Sequence, residues 1–192
     1  MDIDSPEPRH INAEKSLALA SALFPGEEWV LKEPGIWVGK SRLRLASRER
    51  LKLAWEMEHA RILIQRGSVA YFLPELENTG MLGVLSADTV INGEIVEIKA
   101  VAGTRATLGH EFRKGYKQGA YLVKRHPEIS SHSVFIRLFS DLPVLSVKAK
   151  IAGELKSRTG SGSFICYFEY TGKLYTWTYE ELRSIIRREP PV

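Results

Sequence analysis

Asp88, Glu97 and Lys99 lie within one short segment that also carries a strong turn signal. The signal is Asn92-Gly93 between two β-branched runs, a pair that suits the positive φ angles of a type I′ hairpin turn. With the turn at that pair, opposed residues of the hairpin have β-carbons about 5 Å apart. The predicted opposed pairs are Ile91 with Glu94, Val90 with Ile95, Thr89 with Val96, and Asp88 with Glu97. Two carboxylates are therefore expected side by side.

Opposed carboxylates point to a divalent cation, because like charges placed directly across a hairpin destabilise it. Mg²⁺ (or Mn²⁺) binds carboxylate oxygens and keeps several waters, so Asp88, Glu97 and the backbone carbonyl of Ile98 are the predicted ligands. Strand alternation puts Lys99 on the same face as Glu97. There its ammonium group can orient an attacking water and offset charge on a phosphoryl oxygen. The alternative is an exposed hairpin in which Lys99 only pairs with Glu97.

The elements around this segment predict a mixed α/β domain. A run of good helix formers that ends at Gly67 predicts a helix over 48–66. Strands are predicted at 69–73, within 81–92 and at 94–101, followed by a helix at 107–123 and a strand at 133–139. After this α-β-β-β-α-β core come a helix near 146–158, a β-hairpin at 164–169 and 173–178, and a helix at 179–188. Residues 1–46 form a predicted extension, with a helix at 13–24 and strand-like pieces at 29–32, 35–39 and 42–46, and residues 47–192 form the main domain.

The ordered motifs resemble the PD-(D/E)xK nuclease superfamily. The residues that carry the resemblance are Asp88 with Glu97-x-Lys99, Glu56-Met-Glu-His-Ala60, Gly67, Leu73-Pro-Glu75 and the helical segment 112–123. They look most like the C-terminal toxin nucleases of contact-dependent inhibition and related polymorphic toxin systems, over roughly residues 48–139. The resemblance implies a restriction-endonuclease-like αβββαβ core and a metal-dependent endonuclease. The spacing from Asp88 to Glu97 is shorter than is common in that superfamily.

The resemblance also implies roles for individual residues. Asp88 and Glu97 would bind the metal, and Lys99 would be the catalytic lysine. The acid of the first helix is Glu56 or Glu58, which lie about 200° apart on a helix, so that only one faces the site; we favour Glu58. Two further residues are expected near the site, with surface positions as the alternative: Glu75 as an extra acid beside the metal, and Gln118 as the glutamine of the following helix.

The net charge of the chain is compatible with a polyanionic substrate but does not require one. The chain has 27 basic and 23 acidic residues, a net charge of +4. The predicted contacts to the substrate backbone are Arg113, Lys114 and Lys117, which lie on the helix that follows the predicted metal-binding strand 94–101. The predicted substrate is tRNA or DNA, and the toxin resemblance adds a cognate immunity protein as a partner. The chain opens at Met1 without a delivery region, which favours a free-standing cytoplasmic protein over an effector delivered into a target cell.

Other features exclude or weaken other classes of function. No apolar run approaches the roughly 20 residues of a membrane-spanning helix, so no membrane insertion is expected. Cys166 is the lone cysteine and is predicted to be a buried strand residue. A metal-independent ribonuclease would need His59 or His110 as general base. Trp37, Trp55 and Trp177 are predicted core residues rather than base-stacking platforms. A non-catalytic nucleic-acid-binding or protein-interaction module on the same fold is the second functional hypothesis.

Overall fold

The structure, a computed structural model, describes residues 8–44, 46–75, 87–156, 158 and 161–187. Its helices are α1 (Pro8–Leu23), α2 (Lys40–Leu43), α3 (Ser47–Ile64), α4 (Arg105–Arg125), α5 (Val144–Glu154) and α6 (Tyr179–Arg187). Its strands are β1 (Trp29–Glu33), β2 (Ile36–Gly39), β3 (Ala70–Phe72), β4 (Thr89–Ile91), β5 (Glu94–Val101), β6 (His132–Leu138), β7 (Ser163–Phe168) and β8 (Lys173–Thr178). No helix within these ranges is long and apolar enough to cross a membrane.

All eight strands form one mixed sheet, in which they lie side by side in chain order. β2 pairs with β3, β5 with β6, and β6 with β7 in parallel, while the other neighbouring pairs are antiparallel. Each parallel pair is joined by a helix, because a parallel connection must return the chain to the same end of the sheet. The protein is therefore a mixed α/β protein, as predicted, and β1 and β2 continue the same sheet.

Helices cover both faces of the sheet, since its central strands are apolar on both sides. α3 packs on one face through Leu53, Met57, Ala60 and Leu63, which contact Val96 and Ile98 of β5 among others. α4, α5 and α6 cover the other face over β5 to β8, and α1 covers that face over β3 to β5. β5 is thus buried from both sides, and its two faces meet different helices.

The β4–β5 hairpin has the predicted turn and register. Asn92 has a φ of 52° and Gly93 a φ of 81°, the positive values that the type I′ turn requires. The partners in the ladder are Ile91 with Glu94, Val90 with Ile95 and Thr89 with Val96. The asparagine side chain also accepts a hydrogen bond from the backbone N–H of Val69, which ties the turn to the segment before β3. The local turn chemistry therefore decides which residues meet across the hairpin.

Most other predicted elements are present with shifted ends, and one is wrong. Residues 42 and 43 of the predicted strand at 42–46 belong instead to the short helix α2, in which Arg42 is buried, and residue 45 lies outside the described residues. The alternation of arginine and leucine suggested a strand, whereas Arg42 is drawn inside the protein by ion pairs with distant acids. The first part of the predicted strand within 81–92, residues 81–86, lies outside the described residues.

The predictions for Trp177 and Cys166 are confirmed, Trp37 is only partly buried against the core, and the prediction for Trp55 is wrong. Trp177 is buried in the core beneath α4 and α5, and Trp37 stacks on Tyr71 with ring centroids 5.8 Å apart. Cys166 is fully buried in β7. Trp55, however, is 41% exposed, so it is a surface residue.

The contact between α4 and β6 requires a glycine at position 119. A Cβ atom there would lie 2.2 Å from Cδ2 of His132, whose ring is flanked by the rings of Tyr116 and Tyr179. We expect Gly119→Ala to lower the free energy of unfolding by about 1–3 kcal/mol, because the buried His132 ring has no room to move. Urea denaturation followed by circular dichroism measures the change.

The matched control for this substitution is Gly153 near the end of α5, where a Cβ atom would meet nothing within 4 Å. Gly153→Ala is expected to leave the free energy of unfolding unchanged or to raise it by up to about 1 kcal/mol, because alanine is the better helix former. Equal effects of the two substitutions would contradict the steric explanation.

Candidate active site

The hairpin brings Asp88 and Glu97 together on the face of the sheet that α4 covers. Asp88 directly precedes β4, and its Oδ2 accepts a hydrogen bond of 2.8 Å from the backbone N–H of Ile98. Lys99 donates a hydrogen bond from Nζ to Glu97 Oε2 at 3.0 Å. The same Nζ lies 3.6 Å from Asp88 Oδ2. Both carboxylates therefore share one ammonium group.

These charges are almost completely removed from solvent. Glu97 is fully buried, and Asp88 is 8% exposed. Burial raises the pKa of Glu97 well above its ordinary value, the charge of Asp88 raises it further, and Lys99 partly opposes both. Burial lowers the pKa of Lys99, but the charges of Asp88 and Glu97 outweigh burial and raise that pKa overall. Lys99 is thus held protonated beside two acids that compete for a single positive charge.

α4 lies directly over this pair of acids. A Cβ atom at Gly115 would be 3.4 Å from the Cβ of Glu97 and 3.5 Å from Cε of Lys99. Gln118 lies one turn further along the same face of α4, and its Oε1 is buried with no hydrogen-bond partner in the described part of the chain. One turn before Gly115, the charge of Glu111 contributes to the raised pKa of Lys99. The small residue lets the helix approach closely enough to enclose the site.

The donor set fits a divalent cation with few protein ligands. Glu97 Oε1 is buried and has no hydrogen-bond partner among the residues described, so one carboxylate oxygen is free to bind an ion. In a strand the N–H and C=O of one residue point the same way, so the Ile98 carbonyl points, like its N–H, towards Asp88. Among the described residues there is no group of three or more His, Cys, Asp or Glu side chains that could hold a metal ion. Two carboxylates and a carbonyl remain a sufficient set for Mg²⁺, which keeps several waters.

Comparison with known proteins found no relative with which this site could be compared. No protein-family model, curated protein or solved structure matches this chain. Asp88, Glu97 and Lys99 are therefore interpreted from their own positions and contacts, together with those of the groups around them.

A second charged cluster adjoins the backbone of Asp88 and is organised by Arg42. The Arg42 guanidinium is buried, and its Nη1 donates to the carbonyl oxygens of Leu73 and Asp88, each at 3.2 Å. Its Nη2 pairs with Glu56 Oε2 and, at 2.8 Å, with Glu75 Oε1. Arg42 therefore fixes the chain entering β4 to α3 and to the segment after β3.

Glu75 and Lys52 complete the Arg42 cluster. Lys52 Nζ lies 2.7 Å from Glu75 Oε1 and 3.6 Å from Glu56 Oε1. Two cations thus balance two carboxylates. Glu75, predicted as an extra acid near a metal, is instead bound by two cations, because Arg42 and Lys52 both reach its carboxylate.

Of the two candidate acids on α3, Glu56 faces inwards and Glu58 faces outwards, contrary to our preference. Glu56 lies within the buried stripe of α3, whereas the side chain of Glu58 is 56% exposed and accepts a hydrogen bond of 2.9 Å from Arg137. Burial raises the pKa of Glu56 to about 7, the charge of Asp88 adds to this, and Arg42 and Lys52 oppose it. Glu56 therefore lies within the electrostatic reach of Asp88.

The predicted substrate-contact residues on α4 lie on another face of that helix. Arg113 Nη1 is bound to both carboxylate oxygens of Glu154, each at 2.9 Å, while Lys114 and Lys117 are exposed. Together with His110 they line a shallow pocket of about 230 Å³. This basic surface is turned away from the face of α4 that carries Gly115.

The histidine candidates are not grouped with the acids. His59 is buried, its Nδ1 donates to the carbonyl oxygen of Trp55 at 2.6 Å, and burial lowers its pKa, which favours the neutral ring. The charged groups that act on it are Arg137, Glu58 and Glu169. His110 is exposed on α4. Neither ring is placed beside Asp88 or Glu97.

Sequence reasoning missed Arg42 and Glu111. Glu111 precedes Gln118 by seven residues, two helical turns, so helical periodicity puts both on one face of α4 and gave a usable signal. The role of Arg42 had no comparable signal in the sequence, because its partners are 14 to 46 residues away in the chain.

Proposed function

We propose that the protein is a metal-dependent nuclease of the PD-(D/E)xK type. The observation that carries the proposal is the meeting of two buried carboxylates, Asp88 and Glu97, at the ammonium group of Lys99. The order α3, β3, β4, β5, α4 and β6 also agrees with the αβββαβ core that the resemblance implies. A buried pair of like charges lowers stability, so a fold that keeps it gains something else from it.

In this proposal Asp88 and Glu97, with the Ile98 carbonyl, hold Mg²⁺ or Mn²⁺. When bound, such an ion activates water and polarises a phosphoryl oxygen. Lys99 orients the attacking water and offsets the charge that builds up on the phosphate. Because the pKa of Glu97 is raised, this carboxyl must lose a proton before it can bind a cation, and metal affinity falls as the pH is lowered.

The proposed substrate is nucleic acid, either tRNA or DNA. Lys114 and Lys117 are exposed on α4 and can contact phosphates without reading sequence, but they lie on a face of α4 that is turned away from the acids, so such contacts would lie outside the active site itself. A toxin effector with a cognate immunity protein is a more specific form of the proposal, and it rests on the sequence resemblance alone.

The decisive assay incubates the purified chain with plasmid DNA and with total tRNA, with Mg²⁺ or Mn²⁺ and with a chelator. We expect cleavage of one substrate that requires metal and falls by about 100-fold or more in Glu97→Gln, since the amide cannot act as an anionic ligand. Glu94→Gln is the matched control, because Glu94 lies at the far end of the same strand, bound to Ser131 and Ser133.

Two outcomes would contradict the proposal. Cleavage that persists in chelator would show that the reaction does not require a metal ion. Tight nucleic-acid binding without cleavage would favour the non-catalytic module.

A further inference from the structure

Asp88 lies one residue outside the ladder that sets the register of its hairpin. The ladder of β4 and β5 ends on this side with the pair Thr89 and Val96. The charge of Asp88 repels that of Glu97, which is one cause of the raised pKa of Glu97. Because Glu97 lies within β5 whereas Asp88 only precedes β4, the repulsion would displace Asp88 first. Some other group must therefore hold Asp88 in place.

The Arg42 guanidinium is in contact with the backbone of Asp88. Its Nη1 donates to the carbonyl oxygens of Asp88 and Leu73, each at 3.2 Å, and so joins the chain entering β4 to the chain leaving β3. Its Nη2 is bound to the carboxylates of Glu56 and Glu75. Arg42 is 2% exposed, so these contacts are shielded from solvent. The two acids hold the guanidinium, and the guanidinium holds Asp88.

The N-terminal strands bring Arg42 to this position. β2 pairs in parallel with β3, and α2 follows β2 directly. At the end of β2, a Cβ atom on Gly39 would lie 3.3 Å from two ring carbons of Pro74, so the chain there passes close to the segment after β3. The next residues, in α2, carry Arg42 over that segment. The predicted N-terminal extension thus contributes a side chain to the surroundings of the candidate active site.

We propose that Arg42 is a positioning residue, which holds the Asp88 carboxylate opposite Glu97 for the metal ion. This inference rests on the proposed nuclease function and adds that the N-terminal strands complete its active site. A planar guanidinium reaches two carbonyl oxygens with one nitrogen and two carboxylates with another, whereas a lysine ammonium is a single point charge. Both the shape and the charge of Arg42 are therefore required.

The first measurement follows Asp88 without metal, by NMR-detected hydrogen exchange in chelator. The reporter is the Ile98 amide, which donates to Asp88 Oδ2, and the reference amides are those that pair β5 with β6. In Arg42→Lys the Ile98 amide is expected to exchange about 10-fold faster relative to the references, because its hydrogen bond to a charged group is lost when Asp88 shifts. A change in global stability alone would accelerate all of these amides together.

The second measurement is the affinity of the whole chain for Mn²⁺, followed by electron paramagnetic resonance without nucleic acid. The Kd of Arg42→Lys is expected to rise about 10-fold or more, the usual effect of removing a group that orients a metal ligand. Both measurements are made at a temperature at which circular dichroism shows each variant to be folded.

Two control variants separate positioning from stability. Arg44→Lys makes the same chemical change at an exposed residue two positions further on, and it should match the wild type in both measurements. Leu182→Ala removes a buried side chain from α6, and it should lower stability without altering the relative exchange of Ile98 or the Kd for Mn²⁺. If Arg42→Lys does not fold, Glu56→Gln is compared with and without Arg42→Met, since the buried acid then needs no counter-charge.

Three results would overturn the proposal. Unchanged relative exchange at Ile98 in Arg42→Lys, or an equal shift in Leu182→Ala, would make Arg42 a purely stabilising residue. An unchanged Kd for Mn²⁺ in a variant whose Ile98 exchange has risen would show that Asp88 moves without consequence for the metal. If the wild type binds no Mn²⁺, the nuclease proposal fails by that result, and the exchange in chelator still decides whether Arg42 holds Asp88.

Discussion

Asp88→Asn is expected to lower the rate of metal-dependent cleavage by about 100-fold or more while the folded state becomes no less stable. Asparagine keeps a side-chain oxygen that accepts the hydrogen bond from the Ile98 N–H. It removes the negative charge that raises the pKa of Glu97, which relieves the repulsion between opposed carboxylates. The free energy of unfolding in chelator is therefore expected to stay equal or to rise by up to about 1 kcal/mol.

The opposite signs of these two effects separate a catalytic role from a structural one. Cleavage rates are measured with saturating Mg²⁺, and the free energy of unfolding is measured by urea denaturation in chelator. Asp141→Asn is a useful comparison, since Asp141 lies in the loop after β6 and none of the charged contacts found at the site involves it. If Asp88→Asn instead destabilised the protein by several kcal/mol, the carboxylate would be a structural group and the loss of cleavage would carry no mechanistic meaning.

Arg42→Met is expected to lower the free energy of unfolding by about 3–5 kcal/mol, the largest loss of stability that we predict for a single substitution. The substitution leaves the buried carboxylate of Glu56 without its main partner and removes the donor to the Asp88 and Leu73 carbonyls. Lys52 can compensate only in part, because it lies 3.6 Å from Glu56.

A double-mutant cycle tests the origin of this effect. Removing the buried acid as well, in Arg42→Met combined with Glu56→Gln, should cost less than the sum of the two single substitutions, because no uncompensated charge remains there. Arg44→Met is the matched control: Arg44 is exposed two residues further on and should change the free energy of unfolding by less than about 0.5 kcal/mol. Equal effects at positions 42 and 44 would show that the Arg42 cluster adds no stability.

The geometry of the β4–β5 hairpin could be predicted because its determinants are local. Asn92 and Gly93 specify the turn, the turn specifies the register, and the register puts Asp88 next to Glu97. Alternation along β5 then puts Lys99 on the same face. The central group of the candidate site thus follows from neighbouring residues, without knowledge of what lies on either side of the sheet.

The orientation of α3 was predicted incorrectly, although its apolar stripe contained the information. Leu53, Met57 and Ala60 face the sheet, and Glu56 lies within that stripe. A carboxylate on a buried face contradicts the usual rule that charges point outwards. Only the tertiary structure supplies the reason for the exception, which is the guanidinium of Arg42 brought from a different element.

The sequence alone determined most strands of the sheet, the β4–β5 hairpin and the juxtaposition of Asp88, Glu97 and Lys99, because turn chemistry and alternation act between near neighbours. Tertiary structure alone decided that Arg42 is buried, that Glu56 rather than Glu58 turns inwards, and that Trp55 is exposed at the surface. Those outcomes depend on residues far away in the chain. A charged group can be buried only where a distant partner compensates for its lost hydration, and a ring stays exposed where no distant element covers it.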